Sequence, residues 1–436
     1  MSELKDIARH IFSETLAAID IPAAFERKLA RSGTHIRCGT ATIDLNAFRQ
    51  VRVVAYGKAA YAMASGLVGQ LAPDVRSRGI LVTPSPAPSR LESFETFVAG
   101  HPVPTAESLA AGRAILDLLA SCDESTLVIF LLSGGGSALV ELPLDPSISL
   151  EDVQTLHRLL VTCGAPIDDI NAVRKHLSAV KGGRLAAAAS RATKLTYGVS
   201  DVPVGRESAL ASGPTLPDPT TVADVYRVIE QYGLREKLPR RLRTILERRT
   251  LVEAPKSGDP AFQRAYFELL LGMHDLFHQA HRVAEACGFV TICDNSTDDW
   301  PLERSADFLL DQLDRFRQAN PGRRVAIIAD GEVSSPVTGD GVGGRNSAFV
   351  LYCLEKIAGL PVAVLSAGTD GVDGNSPAAG AVADGESLGR ARATGLDPQD
   401  FFRRSDAYNF FRQLGDAIET GPTGNNLRDL RIFLAR

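Results

Sequence analysis

Two glycine-rich segments of this chain have the composition of loops that bind oxyanions. Ser133-Gly134-Gly135-Gly136-Ser137 follows an apolar run at 127–132, and a second glycine-rich stretch at 339–344 precedes a helical pattern. A strand that leads through glycines into a helix exposes N–H groups at the positive end of that helix, and glycine lets the backbone approach the anion closely. The residues predicted to bind nucleotide or phosphate are Gly134, Gly136, Ser137, Gly341, Gly343 and Gly344.

Two cations stand beside these segments in the sequence and could neutralise a phosphate. Lys58 follows the apolar run at 51–56, and Arg345 closes the second glycine-rich stretch. Arg345 could hold a phosphate or carboxylate with two parallel hydrogen bonds. The GxxxxGK[ST] spacing of a Walker A loop is absent around Lys58, and a lysine there is equally consistent with an ordinary surface residue. We predict catalytic roles for both cations.

A basic cluster lies between residues 171 and 184. Arg174, Lys175, His176, Lys181 and Arg184 fall within about three helical turns. Such a cluster favours anions, although a solvated basic helix face has the same composition. The residues predicted to bind the substrate are Arg174, Lys181, Ser133, Gly135 and Asn346.

Carboxylates follow three of the apolar runs. Asp201 comes after the run at 194–199, Glu332 after the run at 325–329, and Asp370 and Asp373 lie in the glycine-rich turn at 366–374. Mg²⁺ normally accepts one or two protein carboxylates and completes its octahedron with water and substrate phosphate. We predict Asp370, Glu332 and Asp373 as metal ligands and Asp201 as a catalytic residue. The structural alternatives are a tight acidic turn at 366–374 and a helix cap or turn at Asp201.

The elements that must position these residues alternate between short β-rich runs and helical patterns. Several runs are apolar throughout, as in parallel strands that are covered by helices on both faces. The predicted fold class is therefore α/β, with a Rossmann-like, doubly wound N-terminal domain and a second α/β domain. Open sheets of this kind bind ligands at the carboxyl ends of their strands, where most of the segments above lie. The predicted strands are 51–56, 79–82, 126–132, 194–199, 325–329 and 361–366.

A change of pattern after residue 220 indicates a domain boundary. Long charged helices are predicted for 220–323, with an unusually basic stretch at 235–249 and a stretch rich in Pro, Lys and Gly at 252–260. We predict an N-terminal domain at 1–240 and a C-terminal domain at 241–436, with a cleft between them. The N-terminal helix, within about 1–45, is a candidate to pack with the C-terminal domain.

Composition narrows the class of protein. The chain has 436 residues, of which 44% are hydrophobic, and this is ample for two domains with separate cores. A net charge of -5 argues against a nucleic-acid partner, and no run approaches the ~20 apolar residues of a membrane span. The six cysteines include no CxxC pair, so they indicate neither a zinc knuckle nor a disulfide framework. We predict a cytoplasmic protein with a small-molecule ligand, and a homodimer remains open.

Taken together, these segments resemble the type II glycerate kinases, whose C-terminal half is called the MOFRL domain. The resemblance spans nearly the whole chain, and it implies a two-domain α/β enzyme that uses ATP and Mg²⁺ to phosphorylate D-glycerate at its 2-hydroxyl. The family's essential lysine and arginine match Lys58 and Arg345. The matching segments, in order, are GKAA at 57–60, HPVP at 101–104, SGGGSAL at 133–139, NAVRKHLSAVKGG at 171–183, SDV and SGPT between 200 and 215, GxGxGGRN at 339–346, AGTDGVDG at 367–374 and TGPTGNN at 420–426.

The chain departs from the family's pattern within the same segments. Val204-Gly205-Arg206-Glu207 stands where family members commonly carry Gly-Asp-Asp, Ser347 stands where many have Gln, and Asn425 stands where many have Thr. Loss of an acid together with gain of Arg206 could alter metal binding or admit a more anionic substrate. Alternatively, these positions lie away from the substrate and have little effect.

Two other functions are consistent with parts of the sequence. A nicotinamide-dependent hydroxypyruvate reductase, a label attached to some members of this family, is suggested by the match of 339–344 to GxGxxG. However, about ten residues separate these glycines from the preceding strand, and no acidic residue closes the next strand at the spacing that the fingerprint requires. A non-catalytic nucleotide or anion sensor is suggested by Arg206 and Ser347. Retention of Lys58, Arg345 and both glycine-rich segments favours the kinase.

Overall fold

In the computed structural model, the chain forms two units with separate sheets. The structure describes residues 3–29, 34–71, 77–200, 202, 205–425 and 427–436. The first unit, called the N-unit below, is Ile21–Leu271, and the second, the C-unit, combines the residues up to Asp20 with Gly272–Arg436. The division therefore falls after Leu271 rather than after residue 240. Of the segment 1–45, only the part up to Asp20 belongs to the C-unit.

Helices and strands are numbered here in chain order. The helices are α1 Glu3–Ala18, α2 Ile21–Leu29, α3 Ala60–Gln70, α4 Ala106–Ala120, α5 Gly136–Leu139, α6 Leu150–Thr162, α7 Ile167–Leu177, α8 Arg184–Ala188, α9 Val222–Gln231, α10 Arg240–Arg248, α11 Met273–Ala286, α12 Leu302–Ala319, α13 Arg345–Lys356, α14 Ser387–Ala393, α15 Pro398–Arg403 and α16 Ala407–Leu414. The strands are β1 His35–Cys38, β2 Ala41–Asp44, β3 Gln50–Tyr56, β4 Ser77–Thr83, β5 Phe94–Val98, β6 Thr126–Ser133, β7 Thr193–Val199, β8 Ala265–Leu271, β9 Val290–Asp294, β10 Val325–Asp330, β11 Val362–Gly368, β12 Gly380–Asp384, β13 Ala417–Ile418 and β14 Asp429–Ala435.

The N-unit is built on a six-stranded sheet in the order β5-β4-β3-β6-β7-β8, and every neighbouring pair is parallel. Counted along the chain, these strands have the order 3-2-1-4-5-6 of dinucleotide-binding Rossmann sheets. The predicted doubly wound fold is thus confirmed. The order reverses between the adjacent strands β3 and β6, and ligands bind such sheets outside the carboxyl ends of the strands at this switch point.

The central strands of this sheet are apolar because both of its faces are covered. Every residue of β6 is buried. On one face, Val54 and Tyr56 of β3 share a core with Ile115 and Leu119 of α4. On the other face, α3 packs against β3 and β4. A strand buried on both sides needs a continuous apolar run, which is the signal that the sequence carries at 126–132.

The C-unit contains a mixed sheet in the order β13-β12-β11-β14-β10-β9. β9 and β10 are parallel, whereas β14 runs antiparallel to both β10 and β11. The last strand of the chain therefore lies inside the sheet. Phe433 of β14 meets Phe349 of α13 edge to face, with ring centroids 6.1 Å apart, and this contact joins the sheet to its main covering helix.

The first helix belongs to the C-unit because its apolar side packs there. α1 contacts α11, β11 and β14. Its residues Ile11 and Phe12 are buried, and the Lys5 ammonium lies 2.8 Å from the carboxylate of Asp416. The helix is thus held in the C-unit by apolar burial and by an ion pair to a residue 411 positions away.

All six predicted strands are confirmed, within one or two residues at their ends. The prediction of long charged helices across 220–323 missed two strands, β8 and β9, which lie within that range. Both are outermost strands of their sheets, and most residues of β8 are only half-buried. An edge strand does not require an apolar run on both faces, so its sequence resembles that of the charged helices around it.

We predict that replacing Phe12 by Ala lowers the free energy of unfolding of the C-unit by ~3–5 kcal/mol, since a buried aromatic side chain is removed and a cavity remains. Thermal and urea unfolding would measure the change. The matched control is His10→Ala on the exposed side of the same helix, which should change stability by less than ~0.5 kcal/mol. Equal effects of the two variants would contradict the placement of α1.

Candidate functional site

The turns after β3 and β6 lie against each other at the switch point of the N-unit. Gly57 has φ +126°, and a Cβ built on it would lie 2.1 Å from the hydroxyl oxygen of Ser133. The buried Ser133 hydroxyl accepts a hydrogen bond from the Ala59 N–H at 3.0 Å, and the Lys58 N–H donates to the Gly134 carbonyl at 2.9 Å. Only glycine fits at position 57, and the two turns form one rigid element.

Gly135 brings two basic side chains beside the second of these turns. Its φ is +82°, and a Cβ there would lie 3.2 Å from Nε2 of His101 and 3.3 Å from Cγ of Lys58. Burial and, to a lesser degree, the Lys58 ammonium lower the pKa of His101 below its usual range. His101 is therefore neutral at pH 7. The motif HPVP contained this residue, but nothing in its spacing predicted the contact with the glycine turn.

The backbone of the glycine turn after β6 keeps donors available for a ligand. Among the residues that the structure describes, none accepts a hydrogen bond from the N–H groups of Gly135, Gly136 or Ser137. The Ser137 hydroxyl lies 2.7 Å from that of Ser212, which in turn lies 3.1 Å from Oδ1 of Asn171. Unpaired N–H groups that point away from a strand end form the concave arrangement that holds anions.

A strained backbone segment supports this turn. Ala211 and Ser212 have φ values of +49° and +61°, which non-glycine residues rarely adopt, and Gly213 follows with φ +60°. The Ala211 side chain packs so closely on Gly136 that a Cβ on Gly136 would lie 2.8 Å from it. Strain of this kind is retained mainly where a functional geometry has to be held.

The structure places Lys181, predicted to bind substrate, in the interior of the N-unit. Its ammonium lies 2.6 Å from Oε2 of Glu141 and donates to the Val140 carbonyl at 3.1 Å. Burial raises the pKa of Glu141, but Lys181 and His157 more than offset this effect and lower that pKa to about 2. Burial lowers the pKa of Lys181. This ion pair fixes the chain directly after α5. Lys181 therefore supports the glycine turn from the interior of the N-unit.

The rest of the basic cluster does not form one helical face, because α7 ends at Leu177. Lys175 is buried and lies 3.0 Å from Asp218. Arg174 is half-buried, its Nε has no hydrogen-bond partner among the described residues, and burial lowers its pKa.

In the segment after β7, Arg206 is exposed and paired with Asp168 of α7. Asp201, the predicted catalytic acid, lies outside the described residues, as does Val204.

Arg345 is the centre of a charge cluster in the C-unit. Its Nε lies 2.5 Å from Oδ2 of the buried Asp429, and its Nη1 lies 2.7 Å from Oε2 of Glu332. Burial lowers the pKa of Arg345, but the two carboxylates outweigh this effect and raise it. With 34% of its side chain exposed, the guanidinium is held in a fixed orientation and remains accessible. Glu332, predicted as a metal ligand, is thus a partner of Arg345 in this structure.

The second glycine-rich stretch differs from the first because its backbone donors are used within the protein. A Cβ on Gly344 would lie 2.3 Å from the Asp373 carboxylate, so this glycine allows close packing. The N–H groups of this stretch do not form an open cradle for phosphate, although the predicted binding residues included three of its glycines. The donor–acceptor pairs are Gly341 with the Arg404 carbonyl at 3.0 Å, Val342 with Asp406 at 2.9 Å, Gly343 with Asn375 at 2.8 Å and Gly344 with the Ser347 hydroxyl at 3.2 Å.

Asp373, another predicted metal ligand, caps α13. Its buried carboxylate accepts hydrogen bonds from the N–H groups of Asn346 and Ser347 at 2.9 and 2.8 Å and from the Ser347 hydroxyl at 2.6 Å. Burial raises the pKa of Asp373. Asn346 is buried as well, and its Oδ1 accepts from the Ser366 hydroxyl at 2.6 Å. Both side chains therefore fix the start of the helix that carries Arg345.

Asp370, the third predicted metal ligand, is partly exposed in the C-unit. Its Oδ1 accepts from the Val372 N–H at 3.0 Å. A Cβ on Gly368 would lie 3.1 Å from this oxygen and 3.3 Å from Oδ1 of Asp429, so the two carboxylates flank the same glycine. In the described part of the chain, no group of three or more His, Cys, Asp or Glu side chains is arranged to hold a metal ion. A site here would therefore supply one or two carboxylates, as Mg²⁺ accepts.

Comparisons with known proteins agree with this architecture. A family model described as a domain of unknown function, DUF4147, matches residues 7–247, and the MOFRL family model matches residues 325–429. The chain is 36% identical over 389 residues to D-glycerate 2-kinase of Thermotoga maritima, covering 88% of this chain and 90% of that one. It is 35% identical over 387 residues to a putative hydroxypyruvate reductase of Agrobacterium vitis, covering 88% of this chain and 86% of the relative.

A solved structure extends the agreement to the fold. The crystal structure of the glycerate kinase of Thermotoga maritima is similar to the whole of this chain, with a TM-score of 0.86, 34% identity and complete coverage of both chains. The two models and this likeness define a two-domain α/β protein with a MOFRL domain. The chain belongs to the type II glycerate kinase family, and the resemblance inferred from its motifs is confirmed.

We predict that Lys181→Met lowers the free energy of unfolding of the N-unit by ~3–5 kcal/mol, because it leaves the Glu141 carboxylate buried without its cationic partner. Chemical denaturation would measure the change. The double variant Lys181→Met/Glu141→Leu should recover much of the loss, since neither charge then remains. A stable single variant would contradict the internal position of Lys181.

The same pair predicts a pH dependence. The unfolded glutamate titrates near ~4.3, whereas the folded pKa of Glu141 is about 2. The stabilisation by Glu141 is therefore fully present above pH ~4.3 and is lost as the pH falls through about 2. The stability difference between the native protein and a Glu141→Gln variant should shrink over that interval.

Proposed function

We propose that this chain transfers the γ-phosphoryl group of ATP to the 2-hydroxyl of D-glycerate, with Mg²⁺ as the metal. The observation that carries the proposal is the pair of turns at the switch point of the N-unit. There the N–H groups of Gly135, Gly136 and Ser137 have no acceptor among the described residues, and Lys58 stands beside them. Family membership supports the reaction, since relatives of this chain are named glycerate 2-kinases.

In-line phosphoryl transfer requires positioning and charge neutralisation more than covalent chemistry by the protein. The turn at 134–137 would hold phosphate oxygens through its backbone N–H groups. Lys58, whose backbone is fixed by Gly134, would place its ammonium against developing negative charge, and Arg345 would supply a guanidinium that Asp429 and Glu332 orient. The glycine turn cannot shift easily, because Gly57 and Ser133 lock it to the end of β3.

The carboxylates of the C-unit suit a magnesium ion that is bound largely through substrate phosphate. Asp370, which flanks Gly368 together with Asp429, would supply a hard oxygen ligand, and Mg²⁺ would neutralise phosphate charge when bound. Glu332 pairs with Arg345, and Asp373 caps α13, so we assign positioning roles to both carboxylates.

The remaining predictions are unchanged. Arg174 remains a candidate for the substrate carboxylate, and Asp201 remains a predicted catalytic acid. The cytoplasmic location and the homodimer also stay predictions.

The second candidate function is reduction of hydroxypyruvate, since two relatives are named putative hydroxypyruvate reductases. The hydrogen bonds of the GxGxxG segment at 339–344 argue against this function. The N–H groups there donate to acceptors within the protein, whereas a dinucleotide site needs them for a pyrophosphate.

Incubation of the purified protein with ATP and Mg²⁺ and, separately, with each enantiomer of glycerate tests the proposal. We expect ATP consumption with D-glycerate alone and a phosphorus NMR signal of 2-phosphoglycerate. In a parallel assay without ATP, oxidation of a reduced nicotinamide cofactor by hydroxypyruvate, which is itself reduced to glycerate, would instead support the reductase. Activity with another hydroxy acid and not with glycerate would support a kinase but would reject D-glycerate as its substrate.

We predict that Lys58→Ala lowers turnover by at least ~100-fold, because a charge contact to the transferring group is lost. The matched control is Lys237→Ala, an exposed lysine of the same unit, which should retain full activity. Near-normal turnover of a folded Lys58→Ala protein would remove this lysine from the mechanism.

We also predict that Arg345→Ala lowers turnover at least ~100-fold, and here stability has to be separated from chemistry. Asp429 is 3% exposed, so loss of Arg345 leaves a buried carboxylate unpaired. The double variant Arg345→Ala/Asp429→Asn should recover stability but not turnover. Recovery of both would show that Arg345 only holds the fold.

A further inference from the structure

A separate group of metal-binding side chains lies on the surface of the C-unit. His274, His278 and His281 occupy one face of α11, at spacings of four and three residues. At 100° per residue, their positions fall within ~60° of one another around the helix. Cys293 of the neighbouring strand β9 and these three histidines line one shallow depression of ≈ 450 Å³. None of these residues takes part in the proposed kinase reaction.

Two of these side chains already stand at the separation of ligands on one ion. Nδ1 of His281 lies 3.6 Å from Sγ of Cys293. Zinc–sulfur and zinc–nitrogen bonds of ~2.3 and ~2.05 Å at a tetrahedral angle place the two ligand atoms about 3.5 Å apart. His281 and Cys293 come from different elements, α11 and β9, which pack against each other. The separation is therefore set by the fold of the C-unit and not by one flexible segment.

The other ring nitrogen of His281 has the partner that metal-binding histidines usually have. Its Nε2 lies 3.3 Å from Oε1 of Glu285, one helical turn further along α11. Donation of the Nε2 hydrogen to this carboxylate leaves the lone pair of Nδ1 directed towards Cys293. An outer carboxylate that orients a histidine in this way raises its basicity and fixes the tautomer that binds metal.

The carboxylate of Asp330, at the end of β10, interacts electrostatically with Cys293. Asp330 is itself buried, and its two carboxylate oxygens have no hydrogen-bond partner among the described residues. A cation bound beside Cys293 would experience a favourable negative potential from this carboxylate.

We infer that His281, Cys293 and His278 form a surface site for a borderline-soft divalent cation such as Zn²⁺. His281 and Cys293 are preplaced. His278 is exposed and lines the same depression, and it has to rotate about its side-chain bonds to complete the set, since no three ligands converge in the described residues. Imidazole nitrogen and cysteine sulfur select zinc over Mg²⁺, so the site is chemically distinct from the carboxylates near Arg345.

Metal binding to the full chain, treated with a chelator and free of nucleotide, tests this inference independently of catalysis. Calorimetry with Zn²⁺ should show one site per chain. Co²⁺ in place of Zn²⁺ should give the intense near-ultraviolet band of a thiolate bound to cobalt. Cys293→Ser should abolish that band, and Cys293→Ser and His281→Ala should each weaken Zn²⁺ binding at least tenfold.

Two matched variants separate the site from nonspecific binding. Cys287→Ser, at the end of α11, should leave Zn²⁺ affinity and the cobalt band unchanged. Glu285→Gln should weaken binding about tenfold or more, because the orienting carboxylate is lost. Absence of Zn²⁺ binding, or affinity that survives both Cys293→Ser and His281→Ala, would overturn the inference. Kinase turnover does not enter any of these measurements, so failure of the proposed reaction would leave the result intact.

Discussion

The contact between Gly57 and Ser133 is the constraint on which the N-unit site depends. A parallel sheet brings the ends of β3 and β6 side by side, but the following turns can touch only if one residue lacks a side chain. Once they touch, the Ser133 hydroxyl and the Gly134 carbonyl are occupied by the turn that carries Lys58. The N–H groups of Gly135, Gly136 and Ser137, further along the loop, then have no acceptor among the described residues. An anion site in this unit is thus a consequence of how two strand ends pack.

The two glycine-rich segments show that composition alone does not define an anion site. In the turn after β6, glycine allows positive φ and leaves N–H groups without acceptors among the described residues. In the stretch before α13, glycine allows the backbone to pack against Asp373, Asp406 and Arg404. The N–H groups of that stretch donate to Arg404, Asp406, Asn375 and Ser347. The sequence is similar in both, and the difference arises from what the rest of the chain places next to each loop.

The sequence therefore predicted the elements better than the contacts between them. Apolar runs such as 126–132 were sufficient to predict the doubly wound sheet, because burial on both faces leaves a continuous signal. The edge strands β8 and β9 left no such signal and were missed. Lys181 and Asp373 were predicted from residue type to meet ligands, yet each is satisfied by a residue distant in sequence, Glu141 or the start of α13. Pairing over such distances cannot be inferred from local pattern.

The position of β14 has a consequence for how the protein is made. β14 is synthesised after the other strands of the C-unit sheet, yet it lies between β10 and β11 and pairs with both. α1, which precedes the whole N-unit in the sequence, packs on that same strand. The C-unit consequently cannot complete its sheet until β14 has been made, whereas the N-unit is one continuous segment of the chain. During translation, the halves of the C-unit sheet are exposed without their central strand, and chaperone demand should concentrate on this unit.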